Sequence, residues 1–163
     1  MRIVRLPPER LDELEPLWTA LVGHQYALTP HLSDRARPLP DTWRDRRELE
    51  RRWLEEEPRS FVLAAELEGA LAGYAFVRLV ATNTSATVAM SEPHAELATL
   101  SVAPDVRGRG IGRELMRAVH EELRRIGVRD LTFGVITTNS DAIRFYEREG
   151  AVPFVTVFLQ RVE

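Results

Sequence analysis

Residues 107 to 112 read Arg107-Gly108-Arg109-Gly110-Ile111-Gly112, between an apolar run that ends at Val102 and an amphipathic stretch that reaches Ile126. The order predicts a strand, a glycine-rich turn and a helix start. Glycines at alternate positions let the backbone come close to a ligand, and the first N–H groups of a helix have no acceptor within it. With the positive end of the helix dipole added, the junction becomes an anion site. Arg107, Arg109 and Arg113 surround it with fixed positive charge, a set suited to a pyrophosphate. A glycine-rich turn also serves in many proteins only to reverse the chain, so the flanking residues carry the assignment.

The helix after the turn has the clearest pattern in the chain. Ile111, Leu115, Val119, Leu123 and Ile126 fall on one face, Arg113, Glu121, Arg124 and Arg125 on the other, and Gly127 supplies a stop. Elsewhere residues 2–6 read as a strand ended by Pro7-Pro8. Leu14, Leu17, Trp18, Leu21 and Val22 recur at helical spacing, with Pro16 either kinking this helix or beginning a second piece. Residues 43–57 read as a charged, solvated helix anchored by Trp43, Leu49, Trp53 and Leu54. Residues 60–66 and 71–80 form a hairpin about Glu68-Gly69, and a short strand is expected near Thr87 to Met90. Residues 129–136 read as a strand, Asn139 or Ser140 caps a short helix, and residues 153–162 close as a last strand. The order is β-α-α-β-β-β-α-β-α-β, an α/β (α+β) pattern whose crossover at 97–136 should be right-handed.

Composition narrows the function. A chain of 163 residues with 44% hydrophobic content fits a single domain, 1–163, with one real core. A net charge of -3 gives no general attraction to nucleic acid or to an anionic membrane. No apolar run is long enough for a membrane span, and Met1-Arg2-Ile3-Val4-Arg5 lacks the apolar stretch of a signal peptide, so a cytoplasmic location is expected. The absence of cysteine excludes acyl-cysteine chemistry and thiolate metal sites, and the four histidines lack zinc spacing, so no metal is expected. All 22 basic residues are arginine. Arginine-favouring codons in a genome rich in G and C are the simpler explanation.

The turn resembles the R-x-x-G-x-G acyl-CoA pyrophosphate loop of the GNAT superfamily of N-acetyltransferases. Upstream, Ala95-Glu96-Leu97-Ala98-Thr99-Leu100-Ser101-Val102-Ala103-Pro104 is similar to the family's fourth strand. Downstream, the run from Asn139 through Ala142, Phe145 and Tyr146 to Gly150 is similar to its N-x-x-A-x-x-F-Y-x-x-x-G helix. Two motifs in the right order, about thirty residues apart, are far more specific than either alone. The resemblance is firm over 95–151 and schematic before it. It departs at Ala151, where the family usually carries an aromatic.

The resemblance implies the GNAT fold: a mixed, strongly twisted sheet with helices on both faces and splayed central parallel strands. It implies acetyl-CoA as co-substrate, held by the backbone of Leu100, Ser101 and Val102 and by the loop Arg107, Gly108, Arg109, Gly110, Ile111, Gly112 and Arg113. Asn139 would lie beside the pantetheine path, and Tyr146 would protonate the departing thiolate. A primary amine arrives protonated at neutral pH and needs a base, for which Glu96 matches the position used by several members. Glu96 is expected on the strand face shared with Ala98, Leu100 and Val102.

The implied activity is acetyl transfer from acetyl-CoA to a primary amine by direct attack in a ternary complex. A noncatalytic acyl-CoA-binding or sensing module is the alternative, and a nucleotide or nucleic-acid binder fits the acidic balance poorly. The acceptor, a small-molecule amine or a peptide or protein amine, stays open. Residues 17–57 and 81–94 are expected to wall its pocket. Oligomeric state also stays open, with homodimers common among relatives.

Overall fold

The computed structural model describes residues 1–81 and 87–162. Its sheet has the order β1-β2-β3-β4-β5, built from β1 (Arg2–Arg5), β2 (Phe61–Leu67), β3 (Ala70–Val80), β4 (His94–Val102) and β5 (Leu131–Thr132). The first four strands pair antiparallel, and β5 joins β4 in parallel. Glu68 and Gly69 both have positive φ, 53° and 85°, as the mirror-image two-residue turn of a tight hairpin requires. The hairpin expected between residues 60 and 80 is therefore present.

Four α-helices cover the sheet: α1 (Glu15–Leu28), α2 (Leu39–Glu56), α3 (Ile111–Arg125) and α4 (Ser140–Arg148). A 3-10 stretch, Pro8–Leu14, precedes α1, so Pro16 starts a new helix in its first turn, where no N–H is missed. β2 alternates Phe61, Leu63 and Ala65 toward one face with Val62 and Ala64 toward the other. Because both sets are apolar, both faces need cover. Leu115, Met116, Val119 and Leu123 of α3 cover the first face. Leu11, Leu14, Leu17 and Trp43 cover the second, around Tyr74 and Phe76.

Sequence and structure part in several places. No strand forms over Thr87 to Met90. β5 pairs through Leu131 and Thr132 alone, because only Ala95 and Glu96 of β4 lie beside it, and the expected strand over 129–136 shrinks to those two residues. Residues 153–162 are exposed and form no ladder within the described residues, so the expected last strand is not present. α2 begins at Leu39, four residues ahead of its expected start, with a proline in its first turn.

β4 itself is irregular. Phe76 lies opposite Thr99 and Val77 opposite Leu97, so Ala98 is an extra residue, a β-bulge. Before the bulge Ala95 and Leu97 face α3, and after it Leu100 and Val102 do. Glu96 therefore faces α2, on the opposite side of the strand from Leu100 and Val102. The shared face expected from strict alternation is corrected by this one residue.

Candidate active site: the β4–β5 cleft

Past Glu96 and Thr132, β4 and β5 have no ladder bonds between them, although β4 continues to Val102. The Ala103 N–H donates to Ala72 O at 2.9 Å. In an antiparallel ladder, bonded and non-bonded pairs alternate, so Ser101 and Tyr74 form a bonded pair while Val102 and Leu100 turn their N–H groups away from β3. Those N–H groups point into the opening. Ser101 does not reach it: its backbone serves β3, and its buried hydroxyl donates to Leu17 O at 2.9 Å. Of the three residues expected to line the path with their backbone, Leu100 and Val102 are the ones whose N–H groups face it.

β4 can lie so close to β3 because residue 73 is glycine. A Cβ there would stand 2.7 Å from Ser101 O and 3.3 Å from the Val102 Cα. Both contacts are with the strand that lines the opening.

The glycine turn sits at the end of this cleft. Gly108 and Gly110 have φ of 77° and 81°, in the left-handed region, and an added Cβ at either would meet nothing within 4 Å. The turn is thus both conformationally reserved for glycine and open to a ligand. Gly110 caps α3 without a side-chain bond, and the first internal bond runs from Glu114 N to Gly110 O. The N–H groups of Ile111, Gly112 and Arg113 are left without a helical acceptor. Arg107 Nε donates to Val102 O at 3.2 Å, which ties the loop to the strand end. Arg109 is exposed, and Arg113 pairs with Glu149 of the α4 terminus at 3.1 Å. A Cβ on Gly112 would rest 3.5 Å from the Phe145 ring and 3.8 Å from Val102, so the start of α3, α4 and β4 converge there.

α4 brings Tyr146 to the same side. Its ring packs 4.3 Å from that of Phe133 and 5.1 Å from that of Phe145. Burial pushes its phenol up to about 12, so it stays protonated at neutral pH. Asn139 has a structural duty: its Oδ1 accepts from Ala142 N at 3.1 Å and caps α4.

The α2 side holds what the sequence concealed. Glu50 is completely buried and accepts from Arg46 Nε at 2.8 Å. Arg46 Nη2 also donates to Thr99 Oγ1 at 2.6 Å and to the carbonyl of the bulged Ala98 at 3.1 Å. Its guanidinium lies 4.9 Å from the rings of Trp18 and of Trp53. Desolvation raises the Glu50 carboxyl above its ordinary value, against the attraction of Arg46. Glu50 Oε2 and the Tyr74 hydroxyl, both buried, have no hydrogen-bond partner among the described residues. Positions 43, 46, 50 and 53 share one helical face, a spacing that could have exposed this pair beside Trp43 and Trp53. On the same side of the sheet Arg78 joins Glu57 at 2.5 Å to Glu96 at 3.1 Å and stacks 4.2 Å from Trp53. Glu96 is thus held near the bulge, with one carboxylate oxygen on Arg78. Residues 82–86, part of the expected acceptor wall, lie outside the described residues.

An open glycine turn, a parted strand pair and the following helix thus meet, and residues 28–151 match the model of the Acetyltransferase (GNAT) family. The chain belongs to this family. It is 27% identical over 147 residues to a mycothiol acetyltransferase from Propionibacterium freudenreichii, covering 90% of this chain and 42% of that protein. It is 37% identical over 94 residues to a streptothricin acetyltransferase from Streptomyces lavendulae, covering 58% of this chain and 44% of the relative. The chain therefore spans less than half the length of these curated relatives. Among solved structures, the GNAT fold recurs in aminoglycoside N-acetyltransferase AAC(6')-Iy in complex with CoA, with a TM-score of 0.69, 15% identity and 99% of each chain covered. The F44R mutant of BH1408 from Bacillus halodurans is similar with a TM-score of 0.76 at 18% identity, covering 100% of both chains. The mixed sheet with helices on both faces agrees with these folds.

Proposed function

We propose that this GNAT-family domain, residues 1–163, is an acetyl-CoA-dependent N-acetyltransferase that joins the acetyl group to a primary amine in a ternary complex. The observation that carries the reading is the continuity of the cleft. The outward N–H groups of Leu100 and Val102 run into the open turn and the unbonded first turn of α3. An acyl-CoA has matching chemistry, with amides along its pantetheine arm and a pyrophosphate at the other end. Buried backbone groups left unpaired are costly, so such an arm would satisfy β4 as an added strand does. Gly108, Gly110, Ile111 and Gly112 would receive the pyrophosphate, with Arg107, Arg109 and Arg113 supplying charge. Asn139, through its cap, would fix the start of α4 beside that path.

In the reaction the Leu100 N–H stabilises the negative charge that develops on the thioester oxygen. Glu96, directly or through water, takes the proton from the amine nitrogen as the new C–N bond forms. Tyr146 gives its proton to the sulfur as the C–S bond breaks. Its place on α4 beside Phe133 and Phe145, on the side of the cleft, supports that role. The acceptor we favour is a small-molecule amine, the class named in the streptothricin and aminoglycoside relatives. A cytoplasmic location goes with this proposal.

Release of free CoA thiol against a panel of aminoglycosides, polyamines, amino acids and peptides tests the reading. Steady, amine-dependent release at a rate set by one acceptor class is the expected result. Tight CoA binding with no release above the amine-free rate for any acceptor would replace the enzyme with a noncatalytic acyl-CoA-binding module.

A further inference from the structure

Glu96 stands where the sheet divides. It is the last residue of β4 with a ladder partner on β5, Thr132, and the bulge at Ala98 follows it. On the other edge of β4 it lies directly opposite Arg78 of β3, a cross-strand pair. Arg78 Nη1 donates to Glu96 Oε2 at 3.1 Å. Glu96 Oε1 has no partner among the described residues, and the side chain is 39% exposed.

Arg78 reaches Glu96 from a fixed position. Its Nε and Nη2 fork onto Glu57 at 3.2 and 2.5 Å, and its guanidinium lies 4.2 Å from the Trp53 ring centroid. Glu57 Oε2 also accepts from the Ser60 hydroxyl at 3.2 Å, and Ser60 Oγ accepts from the Leu79 N–H at 2.9 Å. The chain of bonds thus begins on the β3 backbone beside Arg78 and returns to Arg78 through Glu57. Exposure rises along it, from buried Ser60 through Glu57 and Arg78, each at 20%, to Glu96. Arg78 engages both oxygens of Glu57 and only one of Glu96, so the unused oxygen is at the end that meets the cleft.

A glutamate side chain turns about several bonds, and an untethered one spends much of its time pointed away from a reacting group. We propose that Arg78 is a positioning residue for acetyl transfer, holding the Glu96 carboxylate by one oxygen so that the other faces the amine of the acceptor. This rests on the reading above in which Glu96 takes the proton from the amine. Arg78 acts through Glu96, and Glu57 and Trp53 act through Arg78. The planar fork of a guanidinium is what allows one side chain to bond Glu57 twice and still reach across to β4.

The test is a double-mutant cycle, read as turnover with the amine that supports the fastest CoA release. Arg78→Met should lower kcat by about 10-fold to 10²-fold and leave the affinity for CoA unchanged. In Glu96→Gln protein the same substitution should change kcat by less than about threefold, because the group it positions is gone. Equal losses in the two backgrounds are what a merely structural Arg78 gives, and they would overturn the proposal. A native kcat in folded Arg78→Met beside a slow Glu96→Gln would also overturn it, while leaving Glu96 as the base. A native rate in Glu96→Gln, or no CoA release by the native protein with any amine, would remove the base or the enzyme itself, and the proposal with it. Should Arg78→Met fail to fold, Glu57→Gln loosens the fork and keeps the guanidinium. It should lower kcat by about threefold to tenfold in the native background and scarcely at all beside Glu96→Gln. No loss, or the same loss in both, would overturn the proposal.

Discussion

The two faces of β4 are built by opposite rules. Toward α3 the strand presents Ala95, Leu97, Leu100 and Val102 to a packing of aliphatic side chains. Toward α2 it meets a charged and hydroxyl network in which Arg46 holds the bulged Ala98 carbonyl and Thr99, with Glu50 fully buried behind it. A helix and a strand with apolar stripes need no specific geometry to associate. An extra residue in a strand does, because its peptide is displaced from the ladder and its carbonyl needs a donor. The α3 face thus carries the glycine turn and Tyr146 on ordinary packing, whereas the α2 face fixes the shape of the strand that lines the cleft.

The largest effect should come from the chemistry on the α3 side. Tyr146→Phe keeps the ring against Phe133 and loses the proton, so turnover should fall by about 10²-fold to 10⁴-fold while the melting temperature and CoA affinity hold. A decrease of less than about threefold would make this tyrosine a packing residue and leave the face without its proposed acid.

On the α2 side the first loss should be stability. Arg46→Met leaves Glu50 buried without its cation and the Ala98 carbonyl without its donor, which should cost about 3 to 5 kcal/mol in denaturant unfolding. Activity should suffer further because the bulge is free to shift. If unfolding changes by less than about 1 kcal/mol, a difference typical of an exposed pair, the network is not what holds the bulge.

Glu50 gives the smallest effect and an opposite sign. Its carboxyl is raised by desolvation, so the folded state retains the proton more firmly than the unfolded chain. Its contribution is then complete below the ordinary value of 4.5 and declines as pH rises through the raised value. Glu50→Gln should remove that decline, and near neutral pH it should lie within about 1 kcal/mol of the native protein or above it. Melting curves across pH check this. Parallel profiles for the two proteins would show that Glu50 is not held in the raised state.

What was legible in the sequence follows the same division. The turn and α3 could be read because 3.6-residue periodicity and left-handed glycines are local signals, as the +78° φ of Gly127 at the stop illustrates. The Asn139 cap and the Glu68-Gly69 hairpin are local too. The bulge was not legible, since an extra residue is defined only by the strand opposite, and with it went the facing of Glu96. Arg46 and Glu50 looked like solvated charge because burial depends on what packs above them. The short β5 and the unpaired 153–162 segment depend on a neighbour that the sequence pattern does not specify.

If the turn before α3 receives the acyl-CoA pyrophosphate, Gly110→Asp should block it. A Cβ at position 110 would meet nothing within 4 Å, so the cost to the fold should be limited to about 1 to 2 kcal/mol for a side chain at positive φ. Placed against a diphosphate, it should weaken binding by about 10²-fold or more. Calorimetric titration of CoA into the native and variant proteins, each shown to be folded, gives the answer. Heat of binding should be lost in the variant; unchanged affinity in a folded Gly110→Asp protein would mean that the pyrophosphate lies elsewhere.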